Sequence, residues 1–308
     1  MKKHDSFAGL IAGLTAASIW GGMYVVSKVV LEVIPPFSLL TLRLIMGALA
    51  LAVVIYFRNN FASRGLRPRE SGKSIRYQEH KQFFWTSFWV GFVGYGISLG
   101  FQFVGTKLST ASNGALITST TPAFVLLFAP FLLGEKTTWQ RIIALVISTM
   151  GVLAVIDPRT AELSSSLFWG NMSLLAAGLT WALYSVLVRK VSKDSDLLTS
   201  STIMLLGGLP TSIAFSIWEI NIQGVGEITI GIIGGLLFLG IISTAVAMFL
   251  WNYAFAELPA AVASLTFFAQ PVVGTLLGWF FLSETITPLF IFGGILITLG
   301  ILIATFEK

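Results

Sequence analysis

The chain has 308 residues, of which 55% are apolar and only 11% charged, with a net charge of +5. Ordinary soluble domains carry roughly twice that charged fraction, so the composition excludes a water-soluble globule and calls for lipid around most of the surface. The absence of cysteine excludes disulfides, zinc–thiolate sites and thiol catalysis.

Ten apolar runs follow along the chain, most close to the ~20 residues a helix needs to cross a bilayer. The first, 7–30, follows Met1-Lys2-Lys3-His4 and continues well past Trp20, too long for a cleaved signal core. It carries Trp20, Tyr24 and Lys28 at i, i+4, i+8, one helical stripe. Its aromatics either pack or stack on an organic solute or cover a cation; Lys28 either snorkels to the headgroups or faces a pathway. The second run, 38–57, holds Arg43 roughly 9 Å below the membrane surface. A charge at that depth needs a reason. Arg43 either clamps the carbonyls of a neighbouring helix or lines a pathway and attracts an anionic group such as a carboxylate. Residues 58–82 are the sizeable polar segment, read as a cytoplasmic loop that sets topology or touches anionic headgroups. The third run is 83–105. The fourth, 110–133, is polar for a membrane span, with Ser112, Asn113, Thr118, Ser119, Thr120 and Thr121 ahead of Pro122. Glu135 precedes the fifth, 138–156, where a helix N-terminus stabilises negative charge by about 0.3–1 kcal/mol.

The sixth run, 168–188, with Arg189 just beyond it, repeats the stripe as Trp181, Ser185 and Arg189. The seventh is 198–218, and the eighth, 229–253, ends on Trp251 and Asn252. The ninth, 260–282, sets Ser264, Thr266 and Gln270 ahead of Pro271. Proline frees the carbonyl four residues back, here that of Thr118 and of Phe267. Pro122 and Pro271 therefore mark either hinges beside a cavity or kinks capped by serine and threonine. Glu284 precedes the tenth run, 287–306, where Thr287 and Pro288 read as N-cap and first-turn proline. No Asp or Glu falls in the middle of a run, so the usual carboxylate relay of proton-coupled carriers is not written here.

The two halves are copies. Sliding residues 91–155 forward by 149 positions lands Gly91 on Gly240, Pro122 on Pro271, Glu135 on Glu284 and Gly151 on Gly300, without a gap. Trp20 and Lys28 fall on Trp181 and Arg189 at a shift of 161; the polar segment near 58–82 accounts for the difference. Five spans per copy is odd, so the second copy enters the membrane inverted, as in many secondary transporters. Of the 19 Lys and Arg residues, only Lys28, Arg43, Lys107 and Arg159 fall outside or in the outer half-membrane when the N-terminus is placed in the cytoplasm. Both termini are therefore expected to be cytoplasmic. The basic residues set orientation and do not read as a nucleic-acid surface. His4 and His80 lie in polar segments, and no zinc-protease, P-loop or nucleophile-elbow string occurs. No cofactor, metal or catalytic residue is expected.

These features resemble the drug/metabolite transporter superfamily, specifically its EamA-type ten-helix permeases. Trp20-Gly21 followed by Lys28 is similar to that family's opening motif, with Met23 where the family often has Asn. Arg43-Leu44, Asn113 to Pro122 and Gly134-Glu135 resemble its second and fourth helices. Trp181-Ala182-Leu183-Tyr184, Asn252, Pro271 and Leu282-Ser283-Glu284 resemble its second copy. The resemblance implies an all-α inner- or plasma-membrane protein of ten helices in two inverted five-helix repeats, 1–160 and 161–308. The repeats would surround a central cavity that opens alternately to each side. It implies secondary export of a small organic metabolite, such as an amino acid, with broad drug efflux as the alternative and a non-transporting scaffold behind it. Trp20, Tyr24, Arg43, Asn113, Thr118, Trp181, Tyr184, Asn252 and Gln270 are the expected substrate contacts. The expected partners are a small-molecule substrate and the bilayer. Oligomeric state is left open.

Overall fold

A computed structural model describes residues 3–62, 73–109, 111–156, 167–192, 196–282 and 288–306. Among these residues the regular structure is entirely helical. We label the helical passages in chain order. α1 is Lys3–Leu31 and α2 is Pro36–Ala62. α3 is α-helical over Lys73–Gly91, π-helical over Phe92–Ser98 and α-helical again over Leu99–Leu108. α4 is split into Ala111–Thr118 and Thr121–Leu133; α5 is Trp139–Ile156 and α6 is Phe168–Ser192. α7 comprises Leu197–Gly207 and Leu209–Gln223. α8 runs Ile230–Leu237, a π segment Phe238–Val246, then Ala247–Glu257. α9 runs Ala260–Leu265, a 3₁₀ turn Thr266–Phe268, then Ala269–Leu282; α10 is Pro288–Thr305.

Among the described residues, seven helices are long and apolar enough to cross a membrane: α1, α2, α3, α4, α6, α7 and α8. The apolar parts of α5, α9 and α10 are shorter. α5 and α10 have 18 residues each, about 27 Å of helix against about 30 Å of hydrocarbon. α9 is interrupted by its 3₁₀ turn. The polar segment expected over 58–82 is narrower than its composition suggests, because α2 continues to Ala62 and α3 begins at Lys73. Thr287 and Glu284 lie outside the described residues, whereas Pro288 opens α10 as the first-turn position favours.

Local irregularities repeat at the sequence shift of 149. The π segment of α3, moved by that amount, overlaps the π segment of α8. The break before Pro122 lands on the 3₁₀ turn before Pro271. Proline cannot donate to the preceding turn, so both helices loosen there, and hydroxyls take up local carbonyls: Thr118 Oγ1 donates to Gly114 O at 2.6 Å and Thr266 Oγ1 to Ala263 O at 2.6 Å. At the end of α4, Gly134 adopts φ +68° and its N–H caps Pro130 O, a left-handed stop that glycine takes without a Cβ penalty.

Packing is reciprocal. α1 lies along α8 and α9, as α6 lies along α3 and α4; α2 meets α7 and α8, as α7 meets α2 and α3. α5 and α10 pack on each other. Sequence-equivalent helices run antiparallel where they touch. Arg58 at the end of α2 grips Asp196 at the start of α7, and Glu219 near the end of α7 accepts from the Phe37 and Ser38 N–H groups at the start of α2 (2.8 and 3.3 Å). In the other pair, Gly151 sits against Gly293 and Ile297 while Gly300 sits against Ser148 and Ala144. The seventh apolar run, ending at 218, leaves Glu219 just beyond it, in the loop that follows. Instead α7 continues to Gln223 and buries its carboxylate as the cap of α2. The closest approach joins α3 to α7: a Cβ on Gly91 would fall 1.9 Å from Met204 O, so only glycine fits. Leu49, Phe131, Trp139 and Ile230 are 62–89% exposed, an outer surface that suits lipid and not water.

Candidate functional site

The middle of the bundle encloses a small cavity where six helices converge. α1 supplies Trp20, Met23 and Tyr24; α3 supplies Ser98, Leu99 and Gln102; α4 supplies Thr118 and Thr121. From the other half, α6 supplies Ala177, Gly178 and Trp181, α8 supplies Met248, and α9 supplies Phe267 and Gln270. Spacings of three and four residues within the sets place each on one helical face. The space leaves about 30 Å³ for the centres of water-sized molecules, room for about two waters.

Small residues let the walls approach. Ser98 Oγ donates to Ala177 O at 2.8 Å and Thr121 Oγ1 to Gly178 O at 3.4 Å. A Cβ on Gly21 would lie 2.8 Å from Gln270 O, so α1 and α9 touch backbone to backbone. The polar wall is ordered. Thr118 Oγ1 donates to Gly114 O, leaving its oxygen to accept the Tyr24 O–H at 3.0 Å, and Tyr24 in turn accepts from Gln102 Nε2 at 3.1 Å. From α9, Gln270 Nε2 lies 3.5 Å from Trp20 O. Trp20 meets Trp181 edge-on at 5.6 Å between centroids, and Trp251 at 5.3 Å. Trp20 Nε1 donates to Ser243 O at 3.0 Å and Trp251 Nε1 to Ser185 Oγ at 3.0 Å. Apart from the Tyr24 phenol, the lining holds no ionisable side chain.

Of the expected contacts, Trp20, Tyr24, Thr118, Trp181 and Gln270 line this cavity and Arg43, Asn113, Tyr184 and Asn252 do not. Arg43 is fully buried against α8. Its Nε donates to Leu239 O and Thr244 Oγ1 (3.2 and 3.0 Å), its Nη2 to Ser243 Oγ at 3.2 Å, and its plane lies 4.9 Å from the Phe103 ring centre. The Leu239 carbonyl lies at the start of the π segment, where the guanidinium and the Thr244 hydroxyl (2.7 Å) both donate to it; of the two sequence readings the clamp is the one formed here. Met23 links the two places, lining the cavity and accepting from both Arg43 Nη atoms at 3.7 Å. Tyr184 and Asn252 belong to a second buried network: Tyr184 bonds Tyr95 and donates to Asn252 Oδ1 at 2.6 Å, and Asn252 Nδ2 donates to Ser201 Oγ at 3.0 Å. Asn113 Nδ2 bonds Ser109 Oγ and Asn171 Oδ1 (3.1 and 3.0 Å) where α3, α4 and α6 meet. Pro122 and Pro271 stand beside Thr121 and Gln270, at the edge of the cavity. Gln102 and Ser98 were missed because the third run was read for apolarity alone; an amide one turn beyond a hydroxyl inside a span was the available signal.

The two matched cations clamp opposite elements. Lys28 Nζ donates to Thr106 O and Ser109 O at the end of α3 (3.1 and 2.9 Å). Arg189 Nη1 donates to Phe255 O and Ala256 O near the end of α8 (3.0 and 3.3 Å), and Arg189 also pairs with Glu135. Glu135 Oε2 accepts the Ala260 N–H at 3.0 Å. It was expected at the start of the next helix, α5, but the left-handed stop at Gly134 lets it cap α9 instead. Among the described residues no three His, Cys, Asp or Glu side chains gather as a metal site.

A family model, the EamA-like transporter family, matches residues 7–156 and 168–306. The chain belongs to the EamA-like transporter family. This EamA-like chain is 27% identical to the uncharacterized transporter YoaV of Bacillus subtilis over 95% of each chain. It is 24% identical to an uncharacterized transporter of Archaeoglobus fulgidus over 97% of this chain and 99% of that one. A chloroplastic WAT1-related protein of Arabidopsis thaliana is 26% identical over 94% of this chain and 67% of its own length. A solved crystal structure, 19% identical, superposes with a TM-score of 0.75 over 97% of this chain and 98% of the other, a likeness of fold. The EamA-like protein is thus a multi-pass membrane transporter.

Proposed function

We propose that this transporter is a secondary carrier that exports a small organic solute across the cell membrane by alternating access. Its ten membrane helices form two inverted five-helix repeats, 1–160 and 161–308, with both termini in the cytoplasm. The observation that carries the reading is the central cavity, walled by three helices from each half. The antiparallel contacts of α2 with α7 and of α5 with α10 support the inversion. Rocking one half on the other around a fixed midplane site is how such repeats operate.

The lining favours uncharged or lipophilic solutes over zwitterions. An amino acid would need a cation near its carboxylate, yet Arg43 is engaged on α8 and no wall residue replaces it. Aromatic walls without a fixed charge support broad efflux as the second reading. The test is flux. Proteoliposomes carrying the protein are expected to exchange radiolabelled organic solutes faster than empty liposomes do. Equal rates across amino acids, nucleobases and lipophilic cations would leave a non-transporting scaffold as the better account.

A further inference from the structure

Two buried polar atoms in the cavity wall have no partner among the described residues. The Trp181 indole Nε1–H is a donor and the Gln270 Oε1 is an acceptor; both are buried, with their residues 6% and 3% exposed, and neither makes a hydrogen bond among the described residues. Buried polar groups are nearly always paired, so such a group calls for a ligand or an ordered water. Other buried hydroxyls without partners among the described residues, on Ser27, Ser87, Ser148 and Ser192, lie away from the cavity lining. Most other polar atoms of the wall are committed. Tyr24 is bonded to Thr118 and Gln102, Ser98 to Ala177 and Trp20 to Ser243.

From this pairing we infer that the carrier recognises a flat, uncharged heteroaromatic solute that presents an acceptor and a donor along its edge. The inference rests on the transporter reading and names the substrate class of the same cavity. The solute's acceptor takes the Trp181 N–H and its donor is received by Gln270 Oε1. Its ring faces lie among Trp20, Trp181 and Phe267, where aromatic contacts add about 0.5–1.5 kcal/mol each. A zwitterion is disfavoured because the wall offers its charges no counter-charge. A bulky lipophilic cation without hydrogen-bonding groups leaves both orphan atoms buried and unpaired. The space as it stands is too small for such a solute, so the solute enters when the halves part.

Thermal stability of the purified protein in lipid nanodiscs tests this, with adenine and uracil as probes and L-phenylalanine, L-threonine and tetraphenylphosphonium as comparisons. Adenine or uracil is expected to raise the melting temperature in a saturable way, and the comparison compounds are not. W181F keeps a ring but loses the donor; Q270M keeps the volume but loses the acceptor. Each is expected to weaken nucleobase binding roughly 5–30-fold, the usual cost of stranding a polar partner. Since the Trp181 N–H bonds nothing among the described residues, empty W181F should melt within a degree or two of the parent or above it, whereas Q270M also gives up the Nε2 donor 3.5 Å from Trp20 O and is read by its nucleobase affinity alone. Unaltered nucleobase affinity in both variants overturns the inference, as does stabilisation by phenylalanine or threonine instead. So does a null result with both nucleobases, which leaves water as the partner of the two atoms. Amino-acid flux without nucleobase binding would overturn this substrate class while leaving the carrier reading intact.

Discussion

Arg43 is the residue whose chemistry was easiest to notice and hardest to place. Its depth in the second apolar run made a charge there expensive, so a partner had to exist. That partner, the Leu239 carbonyl with Ser243 and Thr244, was hidden because nothing in an apolar run such as 229–253 announces a π turn. Removing the side chain takes one of two donors from the Leu239 carbonyl, which keeps the Thr244 hydroxyl at 2.7 Å, and hollows out the space between α2 and α8. R43A is expected to cost about 2–4 kcal/mol, read as a lower melting temperature and poorer recovery of monodisperse protein. R43K keeps the charge but not the planar fork and should recover only part of the loss. If R43A melts with the parent, the clamp carries no stability and Arg43 returns to the pathway reading. The aromatic stripes were more legible. Trp20 and Trp181 were paired by the repeat alone, and the structure sets their rings 5.6 Å apart; that Tyr184, three residues from Trp181, turns away into another network was beyond what helical spacing resolves.

Among the elements, proline marked the breaks in α4 and α9 from sequence, since a missing N–H has a fixed consequence. The π segments had no comparable marker, and hydropathy placed the end of α7 too early, which put Glu219 in a loop. The starts of α2 and α7 rest on acidic caps of different strength. Asp196 caps α7 through Thr199 and lies in a two-pronged pair with Arg58 (2.8 and 2.7 Å). The Arg58 guanidinium, helped by Thr199, holds the Asp196 carboxyl down from 3.8 to about 2. A carboxyl lowered by folding contributes stability that is complete above its unfolded value and disappears as pH falls through its folded value. The contribution is therefore full above about pH 4 and lost between about pH 4 and pH 2. Both side chains are more than 40% exposed, so solvent screening limits it to less than about 1 kcal/mol. Melting curves of D196N and parent should differ by a small constant amount from pH 7 to pH 5 and converge below pH 3. A difference that widens on acidification would mean that Arg58 is not the group setting this cap.

For the molecule as a whole, the duplication was visible in the sequence and the asymmetry was not. Lys28 and Arg189 occupy matching positions and grip matching carbonyls, yet the described structure gives only Arg189 an acid, Glu135. That acid also caps α9 through Ala260, so one carboxylate joins the end of α4 to α6 and to α9 across the two halves. Opening the cavity toward this end must separate those elements, and the ion pair opposes it. The pair is only about one-seventh exposed on either side, so replacing the charge with a neutral amide should shift the closed–open balance by about 1 kcal/mol, roughly fivefold. The chain contains no cysteine, so a single A177C in the cavity wall reports access without further engineering. Membrane-impermeant maleimide added from the Glu135 side should label A177C/E135Q about five times faster than A177C. Labelling from the opposite side should slow or stay level if the carrier works by the proposed alternating access, in which opening at one end closes the other. Faster labelling from both sides would mean that E135Q loosens the bundle generally, and an unchanged rate from the Glu135 side would mean that the gate lies elsewhere.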